Sequence, residues 1–379
     1  MGRWFFLLLA AVAASSCATV GAPPPPSMPA VDPSFFQRPA ATVSQELLEK
    51  ALALSPRDED NFLEVGLGYL EKNQRSKAED HFARALAVAP RNYKVPLRIG
   101  IAYIRRGDMT KGEEMIQRAI ALKPKEENLY LEAGLAYLEK GQVAKAEEMF
   151  AKVYAYDPND EDNYLDIGQG YLKAGHKQKA EESFQKAFRL KPDAYKPYIK
   201  AAIAYYAAGE ERKAWELFDR AVKAKPKEEN TYLWMAMACL RKGQTQKAEE
   251  LFAKAIALDP QDEDNYLDFG EVYAERRQFQ RAQELFGQAM RLEPKKKRVY
   301  LRAGVAMMKA GNRVKADEYF LKAFELDPKD EDNFVKAGES YLSAGDPKKA
   351  AELFAKAINL DTRKAKPYLK IGLAYLKRI

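Results

Sequence analysis

The side chains of this sequence that could do chemistry are few: two histidines, two cysteines and four short acidic runs. Metal binding or general acid–base work would need such groups to converge with further ligands or with a nucleophile. His81 and His176 have no second Cys or His at ligand spacing, and both are expected as solvent-facing helix residues. The runs Asp58-Glu59-Asp60-Asn61, Asp160-Glu161-Asp162-Asn163, Asp262-Glu263-Asp264-Asn265 and Asp330-Glu331-Asp332-Asn333 could suggest calcium, but they lack the central glycine of a calcium loop. Each stands where an apolar run of helical period begins, so its first Asp can cap open N–H groups while the next carboxylates suit the positive end of the helix dipole. No phosphate-cradling glycine loop, nucleophile elbow or zincin motif occurs. Catalysis, a metal and a cofactor are therefore not expected.

The elements that carry these residues are written by a repeat. Prolines fall at 56, 90, 124, 158, 192, 226, 260, 294 and 328, each 34 residues after the last, with Thr362 at the next place. In each unit a small residue recurs, as in Gly66, Gly100, Gly134 and Gly168, followed three residues on by Tyr69, Tyr103, Tyr137 and Tyr171. Later an Ala precedes a Phe by four, as in Ala78 and Phe82 or Ala146 and Phe150. Two helices explain both sets: the small residues let the backbones approach, and the rings fill the space beside them at helical spacing. Gly107, Gly141, Gly175, Gly209, Gly243, Gly311 and Gly345 mark the turn as left-handed helix ends. Proline then closes each second helix, since it cannot continue one. A fixed period of this length means a stack in which each pair packs on its neighbours.

These residues, with Phe62, Tyr130 or Tyr164 at the fourth position of the unit, resemble the tetratricopeptide repeat. The resemblance implies an all-α solenoid, a right-handed superhelix of antiparallel helix pairs. Nine full repeats run over 59–364, inside a solenoid expected at 42–379. A lone second helix, roughly Ser44 to Leu54, precedes them, and a lone first helix, Ala365 to Lys377, follows. Leu369, Ile371, Leu373, Tyr375 and Leu376 lie around that last helix with nothing in the sequence after it to cover them, so a capping partner or a homodimer is expected there.

Residues 1–16 read as an export signal: Arg3, an apolar run from Trp4 to Ala14 too short to span a bilayer, then small residues. The end, Ala14-Ser15-Ser16-Cys17, resembles the lipobox of bacterial lipoproteins, although Ala14 stands where the family usually has Leu, Val or Ile. That resemblance implies cleavage before Cys17, lipidation of its thiol and, with Ala18 following, an outer-membrane address facing the periplasm. Ordinary secretion into the periplasm or beyond is the alternative. Residues 17–41 form the lipid-bearing Cys and a Pro-rich spacer, leaving Cys239 as the other cysteine and no disulfide framework for the mature chain. A net charge of +7 over 379 residues, with both signs interleaved, gives no basic stripe for nucleic acid.

Binding residues are sought on the first helices. Their second and sixth positions change sign: Asp60 and Glu64 in unit one, Lys94 and Arg98 in unit two, Asp162 and Asp166 in unit four, Lys196 and Lys200 in unit five, Asp264 and Asp268 in unit seven, Arg298 and Arg302 in unit eight. The pattern recurs every 102 residues. Basic residues in a first turn oppose the dipole, so something must favour them. Attraction between neighbouring units is the expected cause, and a charge-banded groove for a partner is the other reading. Between the charges, positions five, nine and twelve carry Leu63, Leu67 and Leu70, then Leu97, Ile101 and Ile104, then Leu131, Leu135 and Leu138. By resemblance these positions face the concave side and touch ligand, unless second helices cover them. Trp234 beside Met235, Met237 and Cys239 offers an anchor or irregular core. Similar lipoproteins support pilus and secretin assembly, outer-membrane protein insertion and polysaccharide export. The resemblance therefore implies a non-catalytic envelope scaffold for protein partners, with a regulatory subunit of a glycan- or peptidoglycan-synthesising complex, or a soluble adaptor, as alternatives.

Overall fold

The computed structural model describes residues 30–379, so the expected signal and Cys17 lie outside the described residues. A short 3₁₀ turn, Pro33–Gln37, leads into twenty α-helices. They are α1 (Ala40–Leu54), α2 (Glu59–Glu71), α3 (Arg75–Val88), α4 (Lys94–Arg105), α5 (Met109–Leu122), α6 (Glu127–Glu139), α7 (Val143–Tyr156), α8 (Glu161–Lys173), α9 (Lys177–Leu190) and α10 (Tyr195–Ala207). There follow α11 (Glu211–Ala224), α12 (Glu229–Arg241), α13 (Thr245–Leu258), α14 (Glu263–Glu275), α15 (Phe279–Leu292), α16 (Lys297–Ala310), α17 (Arg313–Leu326), α18 (Glu331–Ser343), α19 (Pro347–Leu360) and α20 (Ala365–Leu376). No described helix is long and apolar enough to cross a membrane.

The acidic runs act as helix starts. Asp58, Asp160, Asp262 and Asp330 each accept a hydrogen bond from the backbone N–H two residues on, satisfying a donor the helix leaves open. Seven first helices end at a glycine with φ between +72° and +90°. In the first and seventh repeats Asn73 and Arg277 take that left-handed conformation instead, at φ 59° and 60°. Within a pair, the phenyl ring of the second helix lies on the glycine of the first: a Cβ on Gly66 would stand 2.6 Å from the ring of Phe82. Neither histidine projects freely into solvent. Half-buried His81 stacks on Tyr69 at 5.6 Å, and His176 meets the edge of Tyr171.

Each even-numbered helix packs on the next even-numbered helix, whereas successive odd-numbered helices do not pack on one another. The first helices therefore form the inner wall and the second helices splay on the outside. The inner wall has no ends, because α20 packs on α18 and also on α2. The last first helix and the lone leading helix, α20 and α1, form a helix pair of the same kind as the nine continuous ones. The solenoid thus closes into a ring of ten repeats whose tenth is split between the two ends of the chain.

Ser44 and Leu48 stand 34 residues before Ala78 and Phe82, at the same places of the unit. Leu48 covers Gly372, where an added Cβ would meet its Cδ2 at 2.8 Å, and the Ser44 hydroxyl donates to the Gly372 carbonyl at 2.9 Å. The 3₁₀ turn strengthens the seam by packing on α19, with the buried ring of Phe36 5.9 Å from Phe354 and 5.8 Å from Tyr375. Val31 exchanges two backbone hydrogen bonds with the side-chain amide of Asn359, and Lys72 on the first repeat donates to the carbonyl of Lys377.

Three expectations change. The flanking half-repeats are not lone, and the apolar face of the C-terminal helix is occupied: Leu369, Ile371, Tyr375 and Leu376 are buried between α1 and the neighbouring first helices, with Leu376 against Gly68 of α2 and the Tyr375 ring against Phe36. With that face covered, the reason for a homodimer through the C-terminal helix is gone. The folded part also begins earlier than residue 42, since Val31, Phe36 and the start of α1 at Ala40 all belong to it.

Candidate functional site

The inner wall is the surface that the charged positions of the first helices present. The aliphatic strip expected there is largely core. Leu63, Leu70, Leu97, Ile101 and Leu131 are all buried, and only the position-nine residues Leu67 and Leu135 are half-buried at the surface. The physical reason is the close packing of successive first helices, which closes over positions five and twelve and leaves position nine as the floor of shallow clefts. Met237, with Met235 and Cys239, is likewise core, and burial pushes the Cys239 thiol up. Trp234 alone of that group stays exposed, at 37%.

The charge bands meet across neighbouring repeats. Arg98 bonds Glu64 at 2.5 Å and lies 3.5 Å from Asp60, and Lys200 bonds Asp162 at 2.5 Å. Arg298 bonds Asp264 at 2.7 Å. Arg302 reaches Asp264, Asp268 and Glu271 at 2.8, 2.6 and 2.7 Å. Lys366 and Lys370 repeat the arrangement on Asp332 in the tenth repeat. In each case the acidic repeat precedes the basic one, so the sign change does the work of holding neighbours in register. Lys94 and Lys196 are exposed and have no ion-pair partner among the described residues.

Two clefts on this wall are copies of each other, displaced by six repeats. One, of 420 Å³, lies across α2, α4 and α6 and is lined by Leu67, Arg98, Ile101, Arg105, Glu132 and Leu135. The other, of 460 Å³, lies across α14, α16 and α18 and is lined by Glu271, Arg302, Val305, Lys309 and Lys336 among others. Arg98 corresponds to Arg302, Ile101 to Val305, Arg105 to Lys309 and Glu132 to Lys336, each 204 residues apart. From the second cleft the surface runs on through Glu339 and Ser343 to Lys370, Leu373 and Lys377 on α20 and beyond it. Burial pushes the carboxyls of Glu271 and Glu339 up, against the pull of Arg302 on the first and of Lys370, Lys377 and Lys336 on the second.

Lys309, Lys336, Lys377 and Arg277 were not singled out by sequence reasoning. Their signal is a departure from the three-repeat pattern, visible only when units six repeats apart are aligned. The described lining of these clefts, charged side chains beside half-buried aliphatic ones, suits recognition by charge and apolar contact.

Family models bear out the repeat. Family models described as "Tetratricopeptide repeat" match residues 63–127, 97–161, 131–194 and 165–229, then 240–285 and 273–337, and finally 332–361. No curated protein matches the sequence. Among solved structures, MamA is 25% identical, over 43% of this chain and 95% of its own, with a TM-score of 0.31. PilF of Pseudomonas aeruginosa is 18% identical, over 53% of this chain and 92% of its own, with a TM-score of 0.33. Yeast Tom70 is 16% identical, over 87% of this chain and 96% of its own, with a TM-score of 0.38.

Proposed function

Because the chain belongs to the tetratricopeptide repeat family, we propose that it is a non-catalytic scaffold which holds another protein on the inner wall of its ring, at the bacterial cell envelope. The observation that supports holding is the wall itself, a line of charged and half-buried aliphatic positions with clefts between successive first helices. Family membership supports a protein as the thing held. The envelope address rests on the sequence alone, on the export-type residues 1–16 and the lipobox-like approach to Cys17. A lipid on Cys17 and the Pro-rich spacer after it would tether the ring to a membrane, and assembly of a secretion, pilus or polysaccharide-export machine is the task this arrangement suits.

The test is fractionation of cells carrying the natural chain or Cys17→Ser, with cross-linking in intact cells. A membrane-bound chain that becomes soluble on Cys17→Ser, and a protein cross-linked to the inner wall, are the expected results. A chain found in the cytosol in both cases would end the envelope reading.

A further inference from the structure

The two equivalent clefts differ in what happens to their cations. In the first, Arg105 is held by Glu139 of the next repeat at 3.0 Å, and Arg98 by Glu64. In the second, the place of Glu139 is taken by Ser343, so Lys309 has no ion-pair partner among the described residues. The place of Glu132 is taken by Lys336, which adds a second free cation in the same cleft. Lys377 adds a third along the same wall. Here Lys309 stands without the acid that holds Arg105, and Lys336 stands where the first cleft has an acid.

Arg277 is an independent sign. It occupies the left-handed turn position that seven other repeats give to glycine. An L-residue with a long side chain is disfavoured there. Its guanidinium lies over the turn of the next repeat, where a Cβ on Gly311 would be 3.0 Å from Nη2, and it lines the same cleft. A strained residue kept at a cleft is a pointer to use. Against these four cations the arc offers one acid without an ion pair, Glu339.

We propose that the arc of the inner wall from α14 to α20 binds an extended, acidic segment of a protein partner through Arg277, Lys309, Lys336 and Lys377. This deepens the scaffold reading above and rests on it. Packed helices stand about 8–10 Å apart, and a chain in the polyproline II conformation advances about 3.1 Å per residue with three residues per turn. An acidic side chain at every third residue of such a segment therefore keeps to one side and meets one first helix after another. Half-buried Val305 and Leu373 give apolar residues between the acids a floor. The lining residues of the arc's clefts include no aromatic platform on which bases would stack, which favours a polypeptide over a nucleic acid.

The probe is a fluorescein-labelled dodecapeptide with Glu at every third position and Leu or Ala between, titrated with the ring by anisotropy. Binding is expected to weaken at least tenfold in Lys309→Glu/Lys336→Glu/Lys377→Glu, whose side chains are exposed and hold no partner, and severalfold in Arg277→Gly, with unchanged helix content in both. Glu132→Lys, in the equivalent cleft, should leave it within twofold. Equal affinity in the triple variant overturns the proposal. So does equal binding of a peptide with the same glutamates in one block, or equal competition by an oligonucleotide or polyuronate of the same charge. Cross-linking in cells keeps this failure separate from that of the scaffold reading. A protein captured equally by the natural ring and the triple variant removes the arc and spares the scaffold, whereas no protein captured by the natural ring removes both.

Discussion

The first repeat and the tenth hold the same packing with opposite connectivity. In the first, α2 and α3 are joined by the three residues 72–74, and the ring of Phe82 covers Gly66. In the tenth, α20 and α1 are joined only through the other nine repeats, and Leu48 covers Gly372. The smaller filler is supplemented by contacts the first repeat lacks: the Ser44 bond to Gly372, the Phe36 ring against Phe354 and Tyr375, and the clasp of Val31 on Asn359. Loop closure entropy grows slowly, by about 0.6 kcal/mol per doubling of length. Here the intervening stack is itself folded and delivers its ends to each other. The lesson is that a repeat array needs its terminal faces covered, and this chain covers each end with the other.

The sharpest way to break the comparison is to delete residues 1–57, removing the 3₁₀ turn and α1. With the Gly372 face and Tyr375 uncovered, the variant should self-associate or melt at least about 10 °C lower, given several kcal/mol of lost apolar burial. Its radius of gyration by X-ray scattering should rise. An unchanged radius and melt would mean that the seam is not closed in solution.

Leu48→Ala should cost about 2–5 kcal/mol, the usual range for a buried leucine. If the split repeat behaves as a separable unit, amide exchange will accelerate in α1 and α20 while α10 and α12 stay protected. Uniform acceleration would instead show the seam to be as cooperative as a continuous repeat.

Ser44→Ala restores the residue type of eight of the other nine pairs, the second repeat having Gly112, and removes the bond to Gly372. A loss of about 0.5–1.5 kcal/mol is expected in denaturant melts, and a gain would show that the hydroxyl is tolerated at the seam and does not support it.

The smallest effect is set by pH. His81 lines the outer groove with Leu48 and Glu49 of α1, stacked on Tyr69. Burial lowers its pKa, helped by Arg84 and Lys77 and opposed by Asp80 and Glu49. The unfolded chain therefore takes up the proton first, at about pH 6.5. The contribution of neutral His81 is complete above that pH and is lost as the pH falls through it towards the lower folded value. His81→Phe should flatten this part of the melting profile between pH 7.5 and 5, and a profile identical to that of the natural chain would remove His81 from the account.

Much of the ring could be read from residues. The 34-residue spacing, the Gly and Phe partners, the acidic caps and the glycine turns give each helix pair and its order. Closure was not legible, because it depends on a small rotation per repeat adding up over ten units, which no residue encodes by itself. The trace it leaves, Ser44 and Leu48 at the Ala and Phe places of the unit and a first helix over 365–377, reads equally well as two loose ends. Periodicity likewise found the aliphatic strip at Leu63, Leu97 and Leu131 but not its depth, since burial there is decided by how closely neighbouring first helices approach. The sign changes at Arg98, Lys200 and Arg302 were visible, whereas the free cations at Lys309 and Lys336 appear only against their counterparts six repeats away.

The charge pattern counts in threes and the ring counts in tens. Had the two divided evenly, a third of a turn would have carried the wall onto itself, and a bound partner could have sat in several equivalent phases. Instead one basic unit is left over, with Lys366 and Lys370 lodged between the acids of Asp332 on one side and Asp60 and Glu64 on the other. That odd unit gives the circle a zero mark, the one place where two basic first-helix charges break the count of three.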